Sequence, residues 1–216
     1  YEIPLRLVGS EMCIRDREGD TPTYFGDIDH TIEDGKRLVS TPAYTAYLKI
    51  AEGCDNRCAY CVIPYLRGRY RSRPMESLLE EARGLAEGGV RELMVIAQDI
   101  TRYGTDLYGK RRLAELLREL CRMDFHWIRL HYLYPDEIDQ ELIDVIAEEP
   151  KIVKYLDIPI QHLSDKILRA MNRRGNGALI SDVISTLRED IPDLVLRTSI
   201  IVGFPGEGLS LIHISE

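Results

Sequence analysis

The sequence lacks the features that would place it in a membrane, in a secretory pathway or directly on nucleic acid. No apolar run approaches the ~20 residues that a membrane-spanning helix needs, and no basic and then apolar leader opens the chain. Basic residues are not in excess, because 28 Lys and Arg stand against 36 Asp and Glu, which leaves a net charge of -8. An acidic balance argues against a nucleic-acid binding face. We therefore expect a cytoplasmic protein with no membrane partner.

The composition is that of a globular protein. Of the 216 residues, 44% are hydrophobic and 30% are charged, which excludes disorder and collagen and allows a sizeable core in one or two domains. The five cysteines are an odd number, and Cys54, Cys58 and Cys61 crowd into one short stretch. These three cysteines are too close together for the disulfide framework of a secreted protein. The group therefore indicates metal binding in a reducing compartment.

The two ends of the chain do not follow the patterns of its middle. The chain opens at Tyr1 rather than Met, so we expect a fragment or a processed piece. Residues 8–17 and 209–215 fit no neighbouring periodicity and resemble translated sequencing adaptor, with an ordinary ragged terminus as the alternative. We therefore give Cys13 and His213 no functional role.

From residue 44 onward, short β-rich runs alternate with amphipathic stretches, which is typical of parallel strands joined by crossover helices. The predicted strands are 44–52, 90–99, 127–134, 155–161 and 194–202. Apolar residues recur at helical spacing between them, at Leu78, Leu79, Ala82, Leu85 and Ala86 and again at Leu113, Leu116, Leu117, Leu120 and Cys121. Gly88 and Gly89 are predicted to end the first helix, and Cys121 is predicted to be a core residue.

Side chains alternate along a strand, and the two predicted faces differ in chemistry. The mainly apolar faces are Ile128, Leu130 and Tyr132, then Leu156, Ile158 and Ile160, then Leu196, Thr198 and Ile200. Polar residues such as Arg129 and Asp157 fall on the opposite faces. A closed eight-stranded barrel has an interior of branched apolar layers, so a polar lining favours a partial, open TIM-like (β/α) barrel around a large ligand. A flat doubly wound sheet is the alternative.

Polar residues also mark where two strands end. Pro159 cannot donate a ladder hydrogen bond, so 157–162 is predicted to be the frayed carboxyl end of its strand. Gln98 and Asp99 follow the apolar run 93–97 in the same way. The carboxyl ends of the strands are where α/β folds place their functional sites.

Cys54, Cys58 and Cys61 are separated by three and then two residues, directly after the first predicted strand. Three thiolates on a short loop can hold three irons of a 4Fe-4S cubane and leave the fourth iron without a protein ligand. A structural zinc site needs a fourth Cys or His, and the next histidine, His126, is 65 residues beyond Cys61. Zinc held with a distant ligand is the alternative.

The spacing, with Tyr60 before the third cysteine, resembles the signature of the radical S-adenosylmethionine (SAM) enzymes. The resemblance implies that SAM chelates the open iron and that one electron from the reduced cluster cleaves SAM to a 5'-deoxyadenosyl radical. It also implies that Tyr60 flanks the adenine, and it requires no catalytic residue beyond the cofactor ligands. Gln98, Gln161 and Arg197 are the candidates for binding SAM, although each could be an ordinary buried hydrogen-bonding residue.

Longer strings resemble the methylthiotransferases within that superfamily: 47–54, 62–74, 97–99 with Tyr103 and Gly104, 156–162, 171–174 and 201–207. They are most similar to the RimO type, which methylthiolates an aspartate of ribosomal protein S-12. The forms at 97–99 and 131–135 separate it from the MiaB type, whose substrate is a tRNA adenosine. The resemblance implies the small ribosomal subunit and a reducing electron donor such as a flavodoxin as partners. The alternatives are tRNA as the substrate, or a non-catalytic iron-sulfur or zinc module.

The resemblance also implies parts that this sequence does not contain. Full-length members begin with a domain whose three further cysteines hold a second 4Fe-4S cluster, and they end with a small β-barrel that contacts the substrate. We therefore expect an incomplete radical SAM core over 41–207, preceded by a linker with a non-native segment over 1–40 and followed by a non-native tail over 208–216. The second cluster is expected only in the full-length protein, and this chain alone is expected to be inactive in the full reaction.

Overall fold

The computed structural model describes Asp29 and residues 40–208. Backbone contacts separate residues 1–30 from residues 31–216, and all the elements below belong to the second unit. The predicted non-native segments at 8–17 and 209–215, with Cys13 and His213, lie outside the described residues.

Strands and helices alternate along the described chain as the sequence predicts. The strands are β1 (Thr45–Lys49), β2 (Ala51–Glu52), β3 (Arg71–Ser72), β4 (Glu92–Ile96), β5 (Trp127–His131), β6 (Ile152–Asp157) and β7 (Val195–Arg197). The helices are α1 (Ile63–Arg67), α2 (Met75–Glu87), α3 (Thr105–Tyr108), α4 (Leu113–Cys121), α5 (Gln140–Glu148), α6 (Asp165–Ala170) and α7 (Gly177–Asp190), with a 3-10 turn at Pro135–Glu137. None of the helices in the described part of the chain is long and apolar enough to cross a membrane.

The order of the strands distinguishes the two folds that the sequence leaves open. β1, β4, β5, β6 and β7 form one parallel sheet and lie side by side in chain order, while β2 and β3 form a separate antiparallel pair. A doubly wound sheet reverses its strand order at a switch point. The described sheet has no such reversal, so it has the strand order of a partial, open (β/α) barrel, with β1 and β7 at its edges.

One side of this sheet forms the core with the helices. Alternate strand residues on this side, Leu48, Leu93, Leu130 and Leu156 among them, are fully buried and pack in one apolar cluster with residues of α2, α4 and α5. The apolar stripes predicted for α2 and α4 are the buried faces of those helices, and Cys121 lies in the core as predicted. Non-directional apolar burial of this kind is the main force that holds sheet and helices together.

The ends of two strands depart from the predicted alternation. β5 ends at His131, so Tyr132 lies beyond the strand and is exposed rather than packed on the helices. Thr198 and Ile200 are likewise exposed, because β7 ends at Arg197 and pairs only with β6 among the described residues. The prediction that these three residues pack on the helices was therefore wrong.

The glycine pair after α2 behaves as predicted. The helix ends at Glu87 and is capped by Gly88, whose N–H donates to the Gly84 carbonyl at 3.0 Å, and Gly89 follows with a φ of +93°. A positive φ is a conformation that glycine adopts at little cost. The pair therefore ends a helix and turns the chain into β4.

Candidate cofactor site

A cavity of about 640 Å³ lies on the side of the sheet opposite the helices. Its walls include the strand residues that alternate with the buried ones, Tyr47 and Lys49 on β1, Met94 and Ile96 on β4, and His131 on β5. Cavities of this size hold small-molecule ligands and cofactors in other proteins. The sequence predicts that a polar face of the strands surrounds a ligand, and a cavity does lie on that face. The strand residues that line it are a mixture of polar and apolar side chains.

The three cysteines of the predicted cluster all line this cavity. Cys54, Cys58 and Cys61 are half-buried, and none is in a disulfide. They lie on the loop that follows β2, which places them at the carboxyl ends of the strands. Burial raises the pKa of the Cys54 thiol. A metal that binds here must therefore displace a proton, as thiol ligands generally require.

Glycine is required where this cysteine loop begins. Gly53 has a φ of +77°, and a Cβ built on it would lie 1.9 Å from the backbone oxygen of Arg69. The close approach lets the Cys54 N–H donate to the Gly68 carbonyl at 3.2 Å. Only a residue without a side chain fits this turn, so the position of the first cysteine depends on Gly53.

The loop after α6 holds the cysteine loop from another side. The Ala59 N–H donates to the Met171 carbonyl at 2.9 Å, and the Asn172 side-chain amide donates to the Arg57 carbonyl at 2.9 Å. Asn172 has a φ of +53°, which asparagine tolerates better than most residues. These two bonds join segments more than a hundred residues apart in the sequence.

Cys58 has polar surroundings. Its Sγ lies 3.3 Å from the Tyr134 hydroxyl and 4.0 Å from Nη1 of Arg173. The Arg173 guanidinium stacks over the Tyr134 ring at 3.9 Å and donates through Nη2 to the Pro159 carbonyl. Burial raises the pKa of the Tyr134 hydroxyl, which keeps it protonated and able to donate. No pattern in the sequence indicates a role for Tyr134 or Arg173.

A second polar network joins the cysteine loop to the end of β4. The buried Asp99 carboxylate accepts from the Asn56 amide at 3.2 Å and from the Thr101 N–H at 3.1 Å. The Tyr70 hydroxyl donates to the Asp99 carbonyl at 2.9 Å. Burial raises the pKa of the Asp99 carboxyl group. Asp99 therefore supports the loop, while its neighbour Gln98 lines the cavity.

The structure brings three of the four predicted SAM-binding residues to the cavity. Tyr60, Gln98 and Gln161 line it together with the cysteines. Arg197 does not line it, because its guanidinium pairs with the buried Asp157 carboxylate and its side chain is 54% exposed at the sheet edge. The cavity therefore gathers the cysteines with Tyr60, Gln98 and Gln161, whose contacts with SAM stay a prediction.

Unpartnered polar atoms at the cavity wall fit a polar ligand. Within the described residues, Asn56 Oδ1, Gln98 Oε1 and His131 Nδ1 are buried and have no hydrogen-bond partner, and all three residues line the cavity. Buried polar atoms in native proteins nearly always have a partner. A ligand with several donors and acceptors, such as SAM, would supply partners that the described chain does not.

The three thiols fit an iron-sulfur cluster better than a single ion. Among the described residues, no three His, Cys, Asp or Glu side chains lie close enough together to hold one metal ion. A cubane is less demanding, because its three thiolates bind three different irons. The donor set and its spread around the cavity therefore fit a 4Fe-4S cluster with one open iron.

Comparison with known proteins agrees with this reading. A family model described as "Radical SAM superfamily" matches residues 48–213. The ribosomal protein uS12 methylthiotransferase RimO of Geobacter sulfurreducens is 59% identical over 186 residues, which are 85% of this chain and 42% of that protein. The protein of the same name from Acetivibrio thermocellus is 58% identical over 175 residues, which are 81% of this chain and 39% of that protein. The chain spans about two fifths of the length of the curated relatives it matches.

Solved structures are more distant in sequence and similar in fold. The radical SAM methyltransferase TsrM from Kitasatospora setae, with cobalamin and a 4Fe-4S cluster bound, has a TM-score of 0.62 at 20% identity and covers 77% of this chain and 32% of its own. Streptococcus suis SuiB, bound to the precursor peptide SuiA, has a TM-score of 0.58 at 14% identity and covers 96% of this chain and 48% of its own. These structures support the fold, and the family model covers most of the sequence. The chain therefore belongs to the radical SAM superfamily.

Proposed function

We propose that this chain is the radical SAM core of a methylthiotransferase that modifies an aspartate of ribosomal protein S-12. The observation that carries the proposal is that Cys54, Cys58 and Cys61 all line one open cavity large enough for a cofactor. The substrate follows from the relatives, which are named as ribosomal protein uS12 methylthiotransferases and are 59% and 58% identical to this chain where they match.

The chain contributes ligands and orientation to this reaction. Cys54, Cys58 and Cys61 would each bind one iron of a 4Fe-4S cluster, and Tyr60, Gln98 and Gln161 would hold SAM beside it. When bound, the cluster and SAM supply a one-electron cleavage that makes hydrogen abstraction from an unactivated carbon possible, which no side-chain acid or base can do.

The other half of the reaction requires parts that we expect only in the full-length protein. Sulfur insertion needs a second 4Fe-4S cluster, and docking on the small ribosomal subunit needs a substrate-binding domain. Electrons come from a reducing donor such as a flavodoxin, in the reducing cytoplasm. The net charge of -8 gives this chain no basic excess, so a tRNA substrate would have to be bound by the substrate-binding domain.

Anaerobic reconstitution tests the cluster assignment. Replacing Cys54, Cys58 or Cys61 by Ala should remove most of the bound iron and the absorption of the 4Fe-4S cluster. Cys121→Ala is the matched control, because Cys121 lies in the core and should affect stability and not iron content. Loss of the cluster in Cys121→Ala with retention in Cys58→Ala would contradict the assignment.

Activity assays test the reaction and the substrate separately. The reconstituted chain should cleave SAM slowly to 5'-deoxyadenosine under a strong reductant and form no methylthiolated product. The full-length enzyme should add the mass of a methylthio group to an aspartate of ribosomal protein S-12 and leave tRNA unmodified. Methylthio-adenosine in tRNA with unmodified ribosomal protein would indicate the MiaB-type activity, and a cluster without SAM cleavage would indicate a non-catalytic module.

A further inference from the structure

We propose that Tyr134 and Arg173 raise the reduction potential of the iron-sulfur cluster through the sulfur of Cys58. The inference rests on the proposed function, because it concerns the cluster that the three cysteines are proposed to hold. It adds a role for two residues that do not bind iron themselves. Both are positioning residues that act through Cys58.

The first contact is a hydrogen bond to the sulfur. Tyr134 is buried between β5 and the 3-10 turn, and its hydroxyl lies 3.3 Å from Cys58 Sγ. In the free thiol either group could donate. A thiolate bound to iron has no proton, so the tyrosine hydroxyl must then be the donor. Hydrogen bonds to ionised acceptors are about twice as strong as bonds between neutral groups.

The second contact is a buried positive charge. Only 8% of Arg173 is exposed, and its Nη1 lies 4.0 Å from Cys58 Sγ. In the described part of the chain Arg173 makes no ion pair with a carboxylate, whereas the neighbouring Arg174 pairs with Asp136 and Glu137. Burying a cation costs free energy that a nearby negative charge offsets. Asp136 contributes such a charge beyond ion-pair distance, and negative charge on a cluster at Cys58 would add one beside the guanidinium.

The geometry of Arg173 is fixed on two sides, so the charge cannot swing away to solvent. Its guanidinium stacks on the Tyr134 ring at 3.9 Å, and its Nη2 donates to the carbonyl of Pro159. Tyr134, Arg173 and the Cys58 sulfur therefore form one packed group. Loss of either side chain should change the electrostatic environment of the same sulfur.

The direction of the effect follows from charge. Reduction adds one electron to the cluster and its thiolates, and a hydrogen-bond donor and a cation both stabilise the more negative state. Hydrogen bonds to the sulfurs and nearby charges are known means by which proteins tune such clusters. Loss of one bond to a charged group should lower the equilibrium constant for reduction about tenfold. For a one-electron couple, a tenfold change corresponds to about 59 mV.

The test is a redox titration of the reconstituted protein, followed by the electron paramagnetic resonance signal of the reduced cluster. Tyr134→Phe, Arg173→Gln and Arg173→Lys are compared with the unchanged chain at matched iron content. Tyr103→Phe is the control, because Tyr103 is also buried and its hydroxyl donates at 2.9 Å to the Arg73 carbonyl, a bond that does not involve Cys58. Tyr103→Phe should lower stability and leave the potential unchanged.

We expect lower potentials in Tyr134→Phe and Arg173→Gln, and a smaller decrease in Arg173→Lys, which keeps the charge. Potentials in Tyr134→Phe and Arg173→Gln that equal the unchanged chain's would overturn the inference, as would an equal decrease in Tyr103→Phe. If Tyr134→Phe fails to fold, the two Arg173 variants test the inference alone. The reduction potential of Arg173→Lys should then be higher than that of Arg173→Gln. A chain without substitutions that binds no cluster would instead contradict the proposed function.

Discussion

On its helix-facing side the sheet carries residues such as Leu93, Leu130 and Leu156, which solvent does not reach, whereas on its other side Met94 and His131 remain half-exposed around the cavity. The two sets alternate along the same strands. The first set is held by apolar packing, and the residues around the cavity are held largely by hydrogen bonds from distant loops. The apolar core and the cavity therefore lie on opposite sides of one sheet, and we expect substitutions to separate effects on stability from effects on cofactor binding.

The largest effect on stability should come from the helix-facing side. Leu130→Ala removes a fully buried side chain from a central strand and should lower the free energy of unfolding by about 3 kcal/mol. Met94→Ala on the cavity side should cost about 1 kcal/mol, because Met94 is half-exposed and buries less apolar surface. Urea unfolding followed by circular dichroism measures both. Equal losses of unfolding free energy would show that residues on the cavity side contribute as much to stability as core residues do.

The helix-facing side was largely predictable, because alternation along a strand depends on local geometry alone. Ile128 and Leu130 are buried as predicted. The prediction was wrong for Tyr132 and Ile200, because the position where a strand ends depends on its neighbours in the sheet. No periodicity in the sequence encodes those neighbours.

The cavity side was predictable only where residues close in sequence act together. The spacing of the three cysteines is such a local signal, and Tyr60 lies within it. Arg173 is 115 residues from Cys58, and Tyr134 is 76 residues from it. Their meeting depends on the tertiary fold, and neither residue has a flanking pattern that indicates a role. Asn56 lies inside the cysteine loop, yet its bond to Asp99 depends equally on the fold.

A glycine comparison tests whether the cavity side depends on backbone geometry. Gly53→Ala should remove most of the bound iron and destabilise the chain by more than about 1 kcal/mol, because the new Cβ meets the Arg69 oxygen at 1.9 Å. Gly89→Ala is the control, since Gly89 also has a positive φ and has nothing within 4 Å of a new Cβ. Iron content and urea midpoints report the two effects. Equal iron in both variants would mean that the Gly53 turn does not position the cysteines.

The Asp99 network should make the cavity side sensitive to pH. Burial raises the pKa of this carboxyl group above its usual 3.8, so the folded chain binds the proton more tightly than the unfolded chain does. The charged form therefore destabilises the fold above the raised pKa, and this cost is relieved as the pH falls towards 3.8. Asp99→Asn should remove this component, and the unpartnered Asn56 oxygen can accept from the new amide after a flip. Unfolding curves of both chains between about pH 7 and about pH 4 should differ in slope, and parallel curves would contradict the assignment.

The smallest effect on cofactor binding should come from Arg197, where sequence and structure give different expectations. The sequence places it among the SAM-binding residues, whereas the structure pairs it with the buried Asp157 carboxylate at the sheet edge. Arg197→Gln should therefore lower stability, because it leaves a buried carboxylate without its counter-charge. The double variant with Asp157→Asn should recover part of that loss, since the charge that needs a partner is gone. The SAM dissociation constant should change less in Arg197→Gln than in Gln161→Ala, because Gln161 lines the cavity and Arg197 does not. A larger loss of SAM binding in Arg197→Gln than in Gln161→Ala would show that Arg197 takes part in binding SAM. The cofactor site would then extend to the edge of the sheet at β7.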